Sequence, residues 1–293
     1  MSVGSILILA VIFLIASIIS TIAGSTSLIT VPVMLEFGVD PRIAIATNML
    51  ALTFMSVGGT LPFFGKGIIK TGRLPLLIFL TLIGSILGAL LVIIVPSKSM
   101  PLIISLSTIA VAIFSVTNRN AGLVPVEGIP SPIAEITGYI ATFILGIYGG
   151  FFSGGYVTLL TAVCVMLFRM TFVEAIATTK LINIFSSLIA TLIFMKQGLI
   201  DYQLGVILGG VMFIGGAIGG RMTLKLSNVW LQRIYLTVVA ILAIVTLRKS
   251  QQQHHSDNRN FVTSVAGLST AFWLLYPSTK YKQFSSMWNR EIL

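Results

Sequence analysis

The chain has 293 residues, 56% of them hydrophobic and only 9% charged, with a mean hydropathy of +1.03. A soluble domain carries about 25% charged residues, so a soluble globular protein is excluded and the composition is that of a polytopic membrane protein. The net charge of +10 lies in short loops and a basic tail, where Lys and Arg orient spans and meet anionic lipid rather than nucleic acid.

Taken in order, the first apolar segment is Ser5–Ile22. It lacks a basic leader and is too long for a signal peptide, so it reads as a span. Small residues break the pattern at AGSTS (23–27), and a short apolar run, Leu28–Phe37, follows. Ten or so residues cannot span alone, since a helix needs about 20. The first element is therefore expected to be a helix broken at the glycines with a half-helix beyond. The alternative is one long tilted helix whose glycines only allow close packing. Asp40-Pro41 reads as an N-cap with proline at the first helical position, opening a helix over 41–64. The turn GKGIIKTGR (65–73) leads to a third span at 74–95, where Gly84 and Gly88 are spaced for close helix packing. A fourth span is expected at 102–117, and 118–132 has no helical period and reads as a linker. The second half runs the same way. Ile133–Phe152 is followed by the break SGGYVT (153–158) and the short run Leu159–Phe168. Thr171-Phe172-Val173-Glu174 reads as a capping box, which gives Glu174 a structural role. Helices are expected at 172–195, at 203–222 with Gly215 and Gly219, and at 229–247. From 249 the chain becomes a polar, basic tail with a short apolar segment, Phe261–Tyr276, that is brief for a span. The fold class is all-α: a helix bundle of eight spans as four plus four, with repeats at 1–117 and 133–248. Eight spans would put both termini in the cytoplasm.

The halves are related in sequence. AIAT at 44–47 recurs at 175–178, an offset of 131 residues that holds without a gap from about 21 to 95. Under it Gly24 falls on Gly155, Thr30 on Thr161, Ser56 on Ser187, Gly84 on Gly215 and Gly88 on Gly219. Shared apolar composition does not explain the glycines, threonines and serines, so the reading is a duplication.

The chemistry concentrates in AIATTKLINIFSSLIATLIFMKQG (175–198). Lys180, Asn183, Ser187 and Thr191 are spaced three, four and four apart and so share one helix face. A lysine in hydrocarbon costs at least about 2.5 kcal/mol, so it is expected to face a cavity, a partner or a ligand. The plainer reading is a lysine that snorkels or caps neighbouring carbonyls. Each Ser or Thr has its own plain reading, a hydroxyl bonded to the carbonyl one turn back. No acidic residue falls mid-span in either half, and both histidines, His254 and His255, lie in the tail. The lone Cys164 allows neither an internal disulfide nor a cysteine metal site. Catalytic residues, metal ligands and cofactors are accordingly not expected. Ser153 in GGFFSGG invites a hydrolase reading, but no membrane histidine exists to activate it.

The motifs AGSTSLITVP (23–32), GGFFSGGYVTLLTAV (149–163) and ATTKLINIFSSLIATLIFMKQGLIDY (177–202) resemble the TauE/SafE family of sulfite and organosulfonate exporters over about 20–247. The third is close to that family's A-T-K-x-x-N-x-x-S-N and F-x-x-x-G-x-x-x-W pattern. It departs at Ser187, where asparagine is frequent, and at Tyr202, in place of tryptophan. In the first glycine stretch, Ser25, Thr26 and Ser27 replace expected glycines. The resemblance implies a secondary transporter that moves a small anion (sulfite, an organosulfonate or a related carboxylate) across the cytoplasmic membrane. Lys180 would supply the charge opposite the substrate, and Asn183, Thr178 and Thr179 would donate hydrogen bonds. Thr47 and Asn48 would approach from the other half. The backbone around Gly24, Ser25 and Ser27, and around Gly154 and Gly155, would complete the site with helix N-termini. The partners implied are the small anion and the lipid bilayer, with no nucleic acid; self-association into a homo-oligomer is left open. An anion channel would need the same features. A non-transporting assembly subunit is the other alternative, and the basic tail leaves room for it.

Overall fold

The computed structural model describes residues 3–24, 26–100, 102–104, 106–107, 130–227 and 230. The fourth-span segments expected at 102–117 and 229–247 fall largely outside these residues. The linker up to 129, and the tail from 249, fall wholly outside them. The fold is all-α. Eight α-helices are described: α1 (Val3–Ala23), α2 (Ser27–Glu36), α3 (Pro41–Thr60), α4 (Leu74–Ile94), α5 (Pro132–Phe151), α6 (Tyr156–Met166), α7 (Phe172–Lys196) and α8 (Tyr202–Lys225). Six are long and apolar enough to cross a membrane, α3 being extended by a short 3-10 turn, Leu61–Phe63; α2 and α6 are not.

Local sequence sets the boundaries. The Asp40 side chain accepts from the backbone N–H groups of Arg42 and Ile43, with Pro41 behind it. Thr171 and Glu174 close a reciprocal capping box at the start of α7. Ser131 and Asp201 cap α5 and α8. The first element of each half is broken. Gly24 and Gly155 take left-handed conformations, at φ 77° and 78°, which glycine adopts without the clash a Cβ would bring. They turn the chain between α1 and α2 and between α5 and α6.

Amphipathic spacing decides which faces are buried. On α1, Leu9, Phe13 and Ala16 are buried while Leu7, Ile8, Val11 and Ile15 are exposed. On α5, Ile133, Ile136, Ile140 and Ile144 form an exposed stripe, and Gly146, Gly149 and Gly150 face inward. Such an outer apolar face suits lipid. Inside, α3 packs along α8 and α7, α4 along α5 and α7, and α1 along α8. The paired glycines do this work. A Cβ on Gly84 or Gly88 would run into the α5 backbone at Phe143, Gly146 and Ile147, and one on Gly215 or Gly219 into α1 at Leu14 and Ile18.

Candidate functional site: the meeting of two helix breaks

The two breaks touch each other. A Cβ on Gly24 would lie 2.6 Å from the backbone nitrogen of Thr158 and 2.9 Å from the Val157 carbonyl carbon. One on Gly154 would lie 2.7 Å from Leu28 Cδ2. The N-terminal turns of α2 and α6 therefore converge at the same place. Helix N-termini carry partial positive charge and under-used N–H groups. Tyr148 steadies the second break, its hydroxyl donating to the Gly154 carbonyl.

Lys180 enters from α7. It is 2% exposed, and nine residues beyond its N-cap it lies about 13 Å along the helix. Its stem runs beside Gly59 of α3, where an added Cβ would lie 3.7 Å from Lys180 Cδ. The ammonium donates to the Ser20 carbonyl at 3.3 Å. The same carbonyl accepts from Gly24 N at 2.7 Å. Lys180 thus sits at the C-terminal end of α1, where a cation meets the negative end of the helix. An ammonium has three protons to give, and among the described residues this one meets a neutral acceptor, the Ser20 carbonyl. Among the described residues the ion pairs lie elsewhere, Lys70–Glu174 at 2.8 Å and Arg73–Glu135 at 2.6 Å, at helix ends.

The rest of the stripe also faces inward. Asn183, Ser187 and Thr191 are buried. Asn183 Nδ2 donates to Ser56 Oγ at 2.7 Å, and Thr53 Oγ1 donates to Ser187 Oγ at 3.1 Å, so α7 is bonded to α3 along this face. The other end of the Asn183 amide, Oδ1, is buried without a partner, as are Ser20 Oγ and Thr178 Oγ1. Ser187 and Thr191 also return a hydroxyl to the carbonyl one turn back, as do Thr30, Thr60 and Thr161.

The remaining sequence candidates divide. Asn48 is buried in α3; it accepts from Thr30 Oγ1 at 2.7 Å and donates to Ser27 Oγ at 2.8 Å, tying α2 to α3. Thr179 meets Thr161 at 3.2 Å, tying α6 to α7. Thr47 accepts from the backbone N–H of Asp201 at 3.1 Å, a bond to the turn before α8. Gly154, Gly155 and Gly24 sit at the breaks, and Ser25 lies outside the described residues. Sequence reasoning missed Ser20 and Ser56. It also missed that Thr30–Asn48 and Thr161–Thr179 are each 18 residues apart, at matching positions under the 131-residue offset. That doubled spacing was available in the sequence.

The family profile of the sulfite exporter TauE/SafE matches residues 8–246. The chain belongs to the TauE/SafE family. Curated relatives agree in kind. A "probable membrane transporter protein ORF9" of Sinorhizobium sp is 28% identical over 234 residues, covering 78% of this chain and 87% of the relative. "Probable membrane transporter protein YfcA" of Escherichia coli (strain K12) is 27% identical over 254 residues, covering 84% and 92%. A "probable membrane transporter protein" of Haemophilus influenzae is 27% identical over 215 residues, covering 72% and 82%. No solved structure matches the chain. This TauE/SafE protein is therefore a multi-pass membrane transporter, not an enzyme, with the bilayer and a small substrate as its partners.

Proposed function

We propose that this TauE/SafE transporter carries a small anion (sulfite, an organosulfonate or a related carboxylate) across the cytoplasmic membrane. Lys180 is the counter-charge, and the two halves rock about the site in alternating access. The observation that carries the reading is Lys180 itself: a buried ammonium, bonded to one backbone carbonyl, beside two converging helix N-termini. A charge taken out of water needs a partner, and an anion at this point would supply it while meeting partial positive charge from α2 and α6. The hydroxyls of Thr178 and Ser20 are buried without a partner and can donate to a ligand's oxygens, whereas the free atom of Asn183, Oδ1, is an acceptor.

Three features support alternating access between repeats. The helices come in the same order of long, short, long, long in each half. The paired tethers Thr30–Asn48 and Thr161–Thr179 recur at matching positions. Each half's first helix packs on the fourth described helix of its partner half, α1 on α8 and α5 on α4. A substrate held where the halves meet is the arrangement secondary transporters use.

The test is flux of labelled sulfite, sulfoacetate and a plain carboxylate in proteoliposomes, for wild type and Lys180→Ala, with and without a pH gradient. Saturable flux of one of these in wild type, lost in a variant that still inserts, is the expected result. Equal flux in both would return Lys180 to helix capping.

A further inference from the structure

A second polar cluster lies on a different face of α7 from Lys180, at Ser186 six residues on. Thr81 and Ser85 reach in from α4, the Gly146 carbonyl from α5, Tyr156 from the start of α6, and Ser186 from α7. The four side-chain residues are 0–2% exposed. Ser85 Oγ donates to the Gly146 carbonyl at 3.3 Å and meets Ser186 Oγ at 2.6 Å. The Tyr156 hydroxyl faces Thr81 and Ser186. Neither Tyr156 OH nor Thr81 Oγ1 makes a hydrogen bond of good geometry. Two fully buried hydroxyls thus stand unpartnered in one cluster, where each costs about 1–3 kcal/mol if nothing meets it.

The oxygens favour a particular occupant. Each hydroxyl brings one proton and two lone pairs. Ser85 spends its proton on Gly146, Ser186 can spend its own on Ser85, and Thr81 and Tyr156 can turn theirs toward neighbours. Lone pairs are then in excess, which selects a cation over an anion. No carboxylate joins the cluster, so a divalent ion would lack the charged ligands it takes, whereas neutral oxygens suffice for an alkali cation. We propose that this cluster of oxygens binds one monovalent cation of sodium's kind through Thr81, Ser85, Gly146, Tyr156 and Ser186.

Packing alone does not ask for these hydroxyls. The positions 131 residues from Thr81, Ser85 and Ser186 are Met212, Gly216 and Met55, none of which brings a hydroxyl. The hydroxyls that α4 and α7 bring to this cluster therefore have no counterpart at those positions of α8 and α3. The cluster also adjoins the second break, because Tyr156 directly follows the left-handed Gly155. A cation bound to Tyr156 and Ser186 would hold the start of α6 against α7. It would also supply the positive charge that an anion carrier with no mid-span carboxylate lacks for coupling.

The test is equilibrium binding of radiolabelled sodium to the purified full-length protein in detergent, with melting temperature read in sodium and choline chloride at equal ionic strength. Binding is read without transport, so its outcome is independent of which anion is carried. Wild type is expected to bind saturably and to melt higher in sodium. Thr81→Val and Tyr156→Phe, which keep shape and remove one ligand, should each bind at least about ten-fold more weakly, the loss of roughly one ligand's worth of free energy. Thr81→Ser, which keeps the hydroxyl, should bind like wild type and so separates ligand loss from misfolding. Absence of saturable binding in wild type overturns the proposal, as does sodium binding undiminished in both hydroxyl-deleting variants. Variants that lose stability equally in both salts would show that the hydroxyls serve packing or water rather than a cation, which overturns it too.

Discussion

Asn48 illustrates what a single amide does in this bundle. It joins Thr30 and Ser27 at once, so it fixes the half-helix α2 to the helix that follows. Its counterpart across the repeat offset, Thr179, makes the lighter contact with Thr161. Hydrogen bonds between membrane helices average about 0.6 kcal/mol, with a ceiling near 1.7. Asn48→Leu is expected to lower stability by about 1–2 kcal/mol in denaturant unfolding from mixed micelles, and Thr179→Val by about half that. At the same scale, Lys180→Ala should abolish anion flux while leaving insertion intact, measured by proteoliposome uptake beside a surface-labelling control. The burial of Lys180 was partly legible from its neighbours alone: a cation three residues before an amide on an apolar helix has to face inward. Its bond to Ser20, 160 residues earlier, was not. Nothing in the local pattern of ILILAVIFLIASIIS says which carbonyl of α1 will be left at the helix end nearest α7.

Among the elements, helix starts were the most readable features, because capping chemistry is local. Asp40-Pro41 and the Thr171–Glu174 box stand where the sequence puts them. Thr171→Ala should cost about 1 kcal/mol, the usual worth of an N-cap hydroxyl, seen as earlier thermal unfolding. The breaks were readable as breaks, from small residues followed by runs too short to span. What was not readable is that they face each other, since Gly24 meets Val157 and Thr158 across 133 and 134 residues of chain. Gly24→Ala faces two penalties: a left-handed backbone and a Cβ 2.6 Å from a backbone nitrogen. The left-handed conformation alone costs an alanine about 1–2 kcal/mol. Loss of expression or of flux is the expected result, whereas Gly38→Ala, also left-handed but with open space around it, should remain folded.

For the whole molecule, the long-range order rests on two kinds of seam. The ion pairs Lys70–Glu174 and Arg73–Glu135 link the turn after α3 to the starts of α7 and α5, and Arg73 also lies 6.0 Å over the Phe168 ring. Lys70 is 64% exposed, and an exposed pair contributes at most about 1 kcal/mol. Lys70→Ala should therefore leave the melting temperature almost unchanged at physiological salt. The glycine seams matter more. Gly88→Leu would drive a side chain into the α5 backbone at Ile147 and Phe151 and is expected to prevent accumulation of folded protein in the membrane. The fold class and span order followed from hydropathy and glycine spacing, but the pairing of α1 with α8 and of α4 with α5 did not, because a small-residue stripe states that something packs closely without stating what.

The glycine seam between α4 and α5 and the hydrogen-bonded seam between α3 and α7 differ in how they would respond to a push. Where α4 meets α5 through Gly84, Gly88 and Gly146, backbone lies on backbone, with few rotamers to reset on displacement. Where α3 meets α7, Ser56–Asn183 and Thr53–Ser187 hold one register, and a slip by a turn would break both bonds together. The first is a smooth bearing and the second a detent. A bundle so jointed favours a few discrete positions over a continuum. The catch that sets those positions lies on the same helix as the buried lysine.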